Sequence, residues 1–214
     1  MAGPKNLALI GAAAAAYFAV VFASLHVLDP GTDPVGRAGS EYVLGPYGVL
    51  MTSNFLALAV GLLALALAFA RVLDRRAAPS LLLVASLGFV VAAIFRTDRG
   101  VVATTATGTI HNFAGIGSFV AILVAALWLS RVMGRDPRFA SSARGLLLMS
   151  YCVAGSFAVL FLVAGPLAAT GVFGLAQRLL IASVLAWLFV AALRMRAVVQ
   201  RTATTPAAAG GGGV

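Results

Sequence analysis

The sequence holds few side chains that can do chemistry, and most of them fall near the ends of apolar segments. It has two histidines, His26 and His111, six acidic residues and one cysteine, Cys152, in 214 residues. Histidine and carboxylate groups together can act as general acid and base or can bind a metal ion. A single cysteine cannot form an intramolecular disulfide. Any chemistry therefore depends on how the rest of the chain places the histidines and the acids.

The composition puts these residues in a membrane protein. Apolar residues make up 62% of the chain and charged residues 10%, whereas soluble domains have about 45–50% and about 25%. A spanning helix needs roughly 20 apolar residues. Six apolar runs are bounded by charges or by Gly/Pro turns, namely Leu7–Leu28, Tyr47–Ala70, Ser80–Phe95, Ile110–Leu129, Leu146–Leu167 and Gly174–Leu193.

These runs predict an all-α integral membrane bundle of six transmembrane helices. The third run is short for a bilayer and is expected to include Ala77–Pro79. The helical domain is predicted to cover residues 1–201. The tail over residues 202–214 is rich in Ala and Gly and has no periodicity, so we expect it to be disordered.

The distribution of basic residues predicts the orientation of the bundle. Lys5 and the arginines after the second, fourth and sixth runs place eleven of the 15 basic residues on one side. Cytoplasmic loops of membrane proteins are enriched in lysine and arginine. Both termini are therefore expected in the cytoplasm, in a multi-pass protein of the cell membrane. The same distribution accounts for the net charge of +9 without a nucleic-acid partner.

This topology brings most ionisable side chains to the opposite, extracytoplasmic side. His26 ends the first run and His111 opens the fourth, and four of the six acids belong to the same side: Asp29, Asp33, Glu41 and Asp98. Ionisable groups at membrane depth are costly and tend to face a bundle interior or a wet cavity. The 18 residues from Asp29 to Pro46 make a long connection, which we expect to fold over this mouth.

Helical spacing favours a shared pocket, because residues three, four or seven apart lie on one helix face. Four sets have this spacing: His111 with Gly115 and Ser118, Tyr47 with Met51 and Asn54, His26 with Asp29, and Arg37 with Glu41. The side chains predicted to bind a ligand at the mouth are His26, Tyr47, Asn54 and Arg96.

Three short motifs resemble landmarks of one family. They are SEYVLGPYG over residues 40–48, FRTD over residues 95–98 and GTIH over residues 108–111. In order and in position relative to the apolar runs, they resemble the prokaryotic six-helix membrane-protein family catalogued as domain of unknown function 998. The family pattern has proline where this chain has Arg96. The resemblance covers roughly residues 5–197 and implies an uncharacterised integral membrane protein. It draws attention to Glu41, Tyr47, Asp98 and His111 without giving them a catalytic role.

Three functions are compatible with these features. The first is binding of a lipid or a small apolar ligand at the mouth, with membrane lipids as partners. The second is an intramembrane enzyme acting on a lipid or isoprenoid, in which His111 is the general base, Asp98 orients it and Glu41 donates a proton. The third is a small transporter, against which stand the lack of ionisable groups at mid-depth in the first five runs and the lack of a clear inverted repeat.

Metal and structural roles are alternatives for the same side chains. His26, His111 and Asp29 would form a two-histidine, one-carboxylate metal set. A haem between the two histidines is disfavoured because both lie at the membrane edge, and the sequence specifies no cofactor. Asp29 before a proline can simply end a helix, and Asp98 can balance the charges of its neighbouring arginines. Whether the protein is an enzyme stays open at this point.

Overall fold

The computed structural model describes residues 2–73 and 77–204, and these residues form six long helices and no strand. The helices are α1 (Pro4–Leu28), α2 (Gly48–Val72), α3 (Ala77–Ile94), α4 (Ala106–Gly134), α5 (Ala140–Ala164) and α6 (Phe173–Thr204). Shorter 3-10 turns cover Gly39–Leu44, Pro137–Phe139 and Ala168–Thr170. All six helices are long and apolar enough to cross a membrane. The predicted all-helical bundle of six spans is confirmed.

Local sequence signals explain several helix ends. Pro4 lies in the first turn of α1, where its missing N–H costs nothing. The side chain of Thr105 accepts a hydrogen bond from the Gly108 N–H and caps α4. Helix α5 ends at Ala164, so Pro166 follows the span and does not kink it. Helix α3 begins at Ala77, as expected from the shortness of the third apolar run.

Two helices continue well beyond the C-terminal ends of their apolar runs. Helix α4 continues to Gly134 and α6 to Thr204, and each has an arginine in its last turn. Arginine is a good helix former and its charge interacts favourably with a helix C-terminus, so hydropathy underestimates such ends. The tail was predicted to begin at residue 202, whereas α6 includes Thr202–Thr204. Residues 205–214 and the charged residues 74–76 lie outside the described residues.

The six helices form a closed ring. Each packs against its neighbours in the chain, and α6 packs against α1. Glycines allow the closest approaches: a Cβ on Gly11 would collide with Leu65 of α2, and one on Gly61 would collide with Ala14 of α1. Small residues bring helix backbones together in membranes, where helix association depends on close packing.

The two ends of this ring differ in content. We call the end formed by residues 29–47, 96–105 and 165–172 the histidine end, and the opposite end the arginine end. Towards the arginine end the interior is filled. Trp187 is fully buried and donates its Nε1–H to the Ser130 hydroxyl at 3.0 Å, and that hydroxyl donates to the Leu146 carbonyl at 3.2 Å. The interior space lies towards the histidine end.

Candidate functional site

An apolar cavity of about 180 Å³ lies inside the ring towards the histidine end. Phe55, Phe89 and Phe119 form an aromatic wall in which successive ring centroids are 6.3 and 5.8 Å apart. Aliphatic side chains of α5 and α6 form much of the opposite wall. The polar side chains on its surface are few: Ser40, Thr97, His111, Asn112 and Gln177. Mostly apolar walls with a few convergent polar groups are typical of small-molecule sites.

His111 is a buried ionisable group of the cavity wall, with 5% of its surface exposed. Its Nδ1 lies 3.0 Å from the Ala92 carbonyl and 2.8 Å from the Phe95 carbonyl, at the end of α3. A carbonyl oxygen only accepts hydrogen bonds, so Nδ1 carries a proton, and in the tautomer with this single proton Nε2 is an acceptor. Within residues 2–73 and 77–204, Nε2 has no hydrogen-bond partner. His111 therefore offers an oriented acceptor to the cavity.

Glu41, predicted as the proton donor, holds two loops together instead. Its side chain is 4% exposed, and Oε1 accepts hydrogen bonds from the Ala38 and Gly100 N–H groups at 3.2 Å each. Ala38 and Glu41 belong to the first connection, whereas Gly100 belongs to the third. The carboxylate therefore joins both connections over the histidine end.

Asp98, predicted to orient His111, holds the two residues that precede α4 instead. Oδ2 accepts hydrogen bonds from the Thr104 and Thr105 N–H groups at 2.7 Å each, and Oδ1 accepts one from the Thr105 hydroxyl at 2.8 Å. The Thr105 and Thr104 N–H groups lower the pKa of Asp98, because they stabilise its charged form. No hydrogen bond joins His111 to Asp98 or Glu41 in the described chain, so these residues do not form a connected acid–base set.

His26 lies in a second cluster, where α1 meets α6. Its Nδ1 is 2.7 Å from the Phe22 carbonyl, and its Nε2 accepts the Nε–H of Arg178 at 2.8 Å. The guanidinium of Arg178 also lies over the rings of Phe22 and Tyr42, 5.6 and 5.8 Å from their centroids. Its Nη1 donates to the Arg37 carbonyl at 2.9 Å. Arg178 thus joins α1, α6 and the first connection.

Arg178 was not among the predicted site residues, although the sequence carries a signal for it. It lies five residues after Phe173, where α6 begins, and within the sixth apolar run. A charged residue inside a spanning segment is a default site candidate.

None of the four predicted ligand-binding residues lines the cavity: His26 belongs to the cluster with Arg178, and the other three lie elsewhere. Asn54 is fully buried, with Nδ2 3.5 Å from the Phe18 carbonyl, and packs between α2 and α1. The spacing predicted that Tyr47 shares a helix face with Met51. Tyr47 instead lies just before the first residue of α2, and its side chain is exposed. Arg96 is exposed to solvent after the end of α3.

The predicted face of α4 agrees with the structure. His111 and Ser118 are buried and Gly115 lines the cavity, so the three residues face the interior of the ring. The Ser118 hydroxyl donates to the Ala114 carbonyl at 2.7 Å and to the Ala85 carbonyl of α3 at 3.2 Å.

The metal alternative has no assembled ligand set. Among the described residues, no group of three or more His, Cys, Asp or Glu side chains could hold a metal ion. His26 has both ring nitrogens engaged, and Asp29 accepts a hydrogen bond from the Thr32 hydroxyl. The structure therefore does not join His26, His111 and Asp29 into one site.

The cavity reaches the membrane-facing surface between α4 and α5. Ile116 of α4 and Phe161 of α5 both line it and are each about half exposed. A Cβ added to Gly115 would meet no atom within 4 Å. Towards the arginine end the two helices do touch, through Arg131 and Tyr151. The cavity is therefore open sideways near the histidine end.

This arrangement defines a class: a multi-pass membrane protein whose ring of six helices encloses an apolar cavity near one end. The chain belongs to the family described as Protein of unknown function (DUF998), whose model matches residues 12–194. No curated protein and no solved structure matches the chain.

Proposed function

We propose that the protein binds a lipid or a small apolar ligand in the cavity, with a polar group of the ligand hydrogen-bonded to His111. The observation that carries this proposal is the Nε2 atom of His111, which has no partner among the described residues, on a mostly apolar wall. A hydrogen bond from a ligand hydroxyl or N–H to this atom would contribute about 0.5–1.5 kcal/mol to binding.

The size and the opening of the cavity suit a lipid chain or a compact apolar molecule. A cavity of about 150 Å³ is enough to hold benzene, and this one measures about 180 Å³. The opening between Ile116 and Phe161 faces the region where membrane lipids lie. A ligand can therefore enter from the bilayer without crossing the polar connections.

We further propose that the histidine end is extracytoplasmic, on the distribution of lysine and arginine. A reporter that works only in the cytoplasm should then be active when it is fused after Thr204. An extracytoplasmic signal from the same fusion would reverse the orientation and put the cavity near the cytoplasmic leaflet.

Two glycines of α4 give a matched pair of variants for testing the cavity. Gly115 lines it and Gly117 does not, and a Cβ at either position meets no atom within 4 Å. Gly115→Phe would fill the cavity, whereas Gly117→Phe would add the same side chain outside it. The measurement is mass spectrometry of lipids that copurify with the protein in mild detergent. We expect one lipid class in the wild type and Gly117→Phe, and its loss in Gly115→Phe. Identical lipid content in all three would contradict the proposal.

The role of His111 in ligand binding can be tested separately from its role in packing. Asn at position 111 retains an N–H donor for the Ala92 and Phe95 carbonyls but removes Nε2. We expect His111→Asn to fold and to weaken binding of the copurified lipid about two- to tenfold, the value of one hydrogen bond. Unchanged affinity would show that the ligand is held by the apolar walls alone.

The enzyme hypothesis has less support than binding. An acid–base mechanism at His111 needs a proton donor within reach of the same ligand, and Glu41 and Asp98 are engaged by main-chain N–H groups. The transporter hypothesis stays an expectation from the sequence.

A further inference from the structure

A second space lies on the membrane-facing side of the bundle, in a groove of about 760 Å³ between α1 and α6. Its floor is made of small residues, which leave room between the two helices: Ala15, Ala16, Ala19, Ala23, Ala182 and Ala186. Phe189 lies at one end of the groove, and His26 and Arg178 lie at the other. The groove is distinct from the cavity, although Ile181 and Leu185 of α6 border both.

The length of the groove matches one leaflet of a membrane. It runs from Ala15 to His26 along α1 and from Phe189 to Arg178 along α6. Eleven residues of helix rise about 16 Å, and half of a bilayer's hydrocarbon core is about 15 Å. An acyl chain lying in the groove would therefore place its headgroup beside Arg178.

In the described part of the chain, no carboxylate lies within ion-pairing distance of the Arg178 guanidinium. Nε and Nη1 are engaged by His26 and by the carbonyls of Arg37 and Gly174, while Nη2 is enclosed by protein and has no partner. The pKa of Asp33 is lowered mainly by the Val35 and Gly36 N–H groups of its own loop and to a smaller extent by the Arg178 charge, so this carboxylate is already engaged. The cationic end of the groove therefore retains its positive charge.

We propose that this groove is a binding site for an anionic phospholipid, with one acyl chain against the alanines and the phosphate beside Arg178. The charge of Arg178, which no carboxylate of the described chain neutralises, attracts a phosphate group at this end of the groove. Charge complementarity selects an anionic lipid over a zwitterionic one. The site goes beyond the proposed function, because it lies outside the ring and requires nothing of the cavity.

A second copy of this chain is a poorer occupant. A symmetric dimer in a membrane pairs the same surface of both copies about an axis along the membrane normal. The two Arg178 side chains would then face each other at the same depth in a medium of low dielectric constant, where like charges repel strongly. A lipid phosphate beside Arg178 would instead compensate its positive charge.

The test is native mass spectrometry of the full chain in detergent, titrated with phosphatidylglycerol, with phosphatidylcholine and with inorganic phosphate. Ala19→Phe fills the groove and leaves Arg178 in place. Ala13→Phe is the matched control, because Ala13 is an exposed residue of α1 outside the groove. Arg178→Lys retains the charge, and Arg178→Gln removes it.

We expect the wild type and Ala13→Phe to prefer phosphatidylglycerol over phosphatidylcholine by about fivefold, the effect of one arginine charge on an anionic lipid. Ala19→Phe and Arg178→Gln should lose this preference, and Arg178→Lys should retain part of it. Because Arg178 also holds the first connection, the groove variant Ala19→Phe decides the question. Gly115→Phe, which tests the cavity, should leave the preference unchanged.

Three outcomes would overturn this proposal. Equal preference in Ala19→Phe and the wild type would place the lipid elsewhere. Binding of inorganic phosphate alone, with no effect of the acyl chain, would reduce the site to an anion site at Arg178. A dimer that Ala19→Phe converts to a monomer would make the groove a subunit interface.

Discussion

Arg178 donates its Nε–H to Nε2 of His26 across 2.8 Å and so joins the last helix of the ring to the first. Arginine is always protonated and only donates, so His26 accepts through Nε2. Its own proton must then be on Nδ1, which faces the Phe22 carbonyl at 2.7 Å. The pair fixes the tautomer of His26, which holds Arg178 in position and has both ring nitrogens engaged.

Replacing His26 should therefore act through Arg178. His26→Leu leaves the Nε–H of Arg178 without an acceptor, and we expect a loss of about 1–3 kcal/mol in the free energy of unfolding. His26→Gln retains an acceptor oxygen and should lose less. Thermal unfolding in detergent measures both. Equal losses in the two variants would show that ring packing against Phe22 and Tyr42 matters more than the hydrogen bond.

Glu41 should hold the first and third connections together. Glu41→Ala leaves two N–H groups, those of Ala38 and Gly100, without their acceptor, and we expect a loss of about 1–3 kcal/mol. Glu41→Gln retains a carbonyl oxygen in the same place and is the control. Amide hydrogen exchange at residues 38–44 and 98–101 should increase in Glu41→Ala and stay near wild type in Glu41→Gln. Unchanged exchange in Glu41→Ala would rule out this role.

Asp98 should make the stability depend on acidity. Its pKa in the folded protein is lowered from the ordinary value of 3.8 by the N–H groups of Thr105 and Thr104. The stabilisation is therefore fully present above pH 3.8 and is lost as the pH falls through the lowered pKa. We expect the thermal unfolding midpoint of the wild type to fall as the pH is lowered from neutral to below 3.8.

Asp98→Asn is the control for this acid dependence. The variant should have a lower midpoint at neutral pH and a smaller fall on acidification. Some acid dependence should persist, because the Val35 and Gly36 N–H groups also lower the pKa of Asp33. An Asp98→Asn variant with the wild-type acid profile would assign the effect to other carboxylates.

Gly88 should be essential for the approach of α3 to α4. A Cβ at this position would collide with the Ser118 hydroxyl and come within 3.0 Å of the Ala114 carbonyl. We expect Gly88→Ala to cost about 1–3 kcal/mol through overpacking. Gly117→Ala meets no atom and should be neutral or stabilising by up to about 1 kcal/mol, because alanine is the better helix former. Similar melting temperatures for Gly88→Ala and Gly117→Ala would contradict the close contact between Gly88 and α4.

The sequence by itself determined the number of spans and the approximate ends of the helices. Hydropathy and helix ends are local properties: a run of about 20 apolar residues must satisfy its backbone within one helix, and Pro4, Thr105 and Pro166 mark ends through their own chemistry. The interior face of α4 at His111 and Ser118 also followed from spacing along one helix. Where arginines replace apolar residues, as at the end of α6, hydropathy ended the helix too early.

Only the tertiary structure decided which polar groups meet. The sequence brought Glu41, Asp98 and His111 to one end of the bundle, but it did not show that Glu41 and Asp98 would be taken by main-chain N–H groups. Gly100 is 59 residues from Glu41, and Arg178 is 152 residues from His26. Hydrogen bonds form over about 3 Å, whereas a topology places a side chain only to within a helix turn of about 5 Å. That difference in scale is why the sequence located the end that carries the candidate site and the fold assigned the partners.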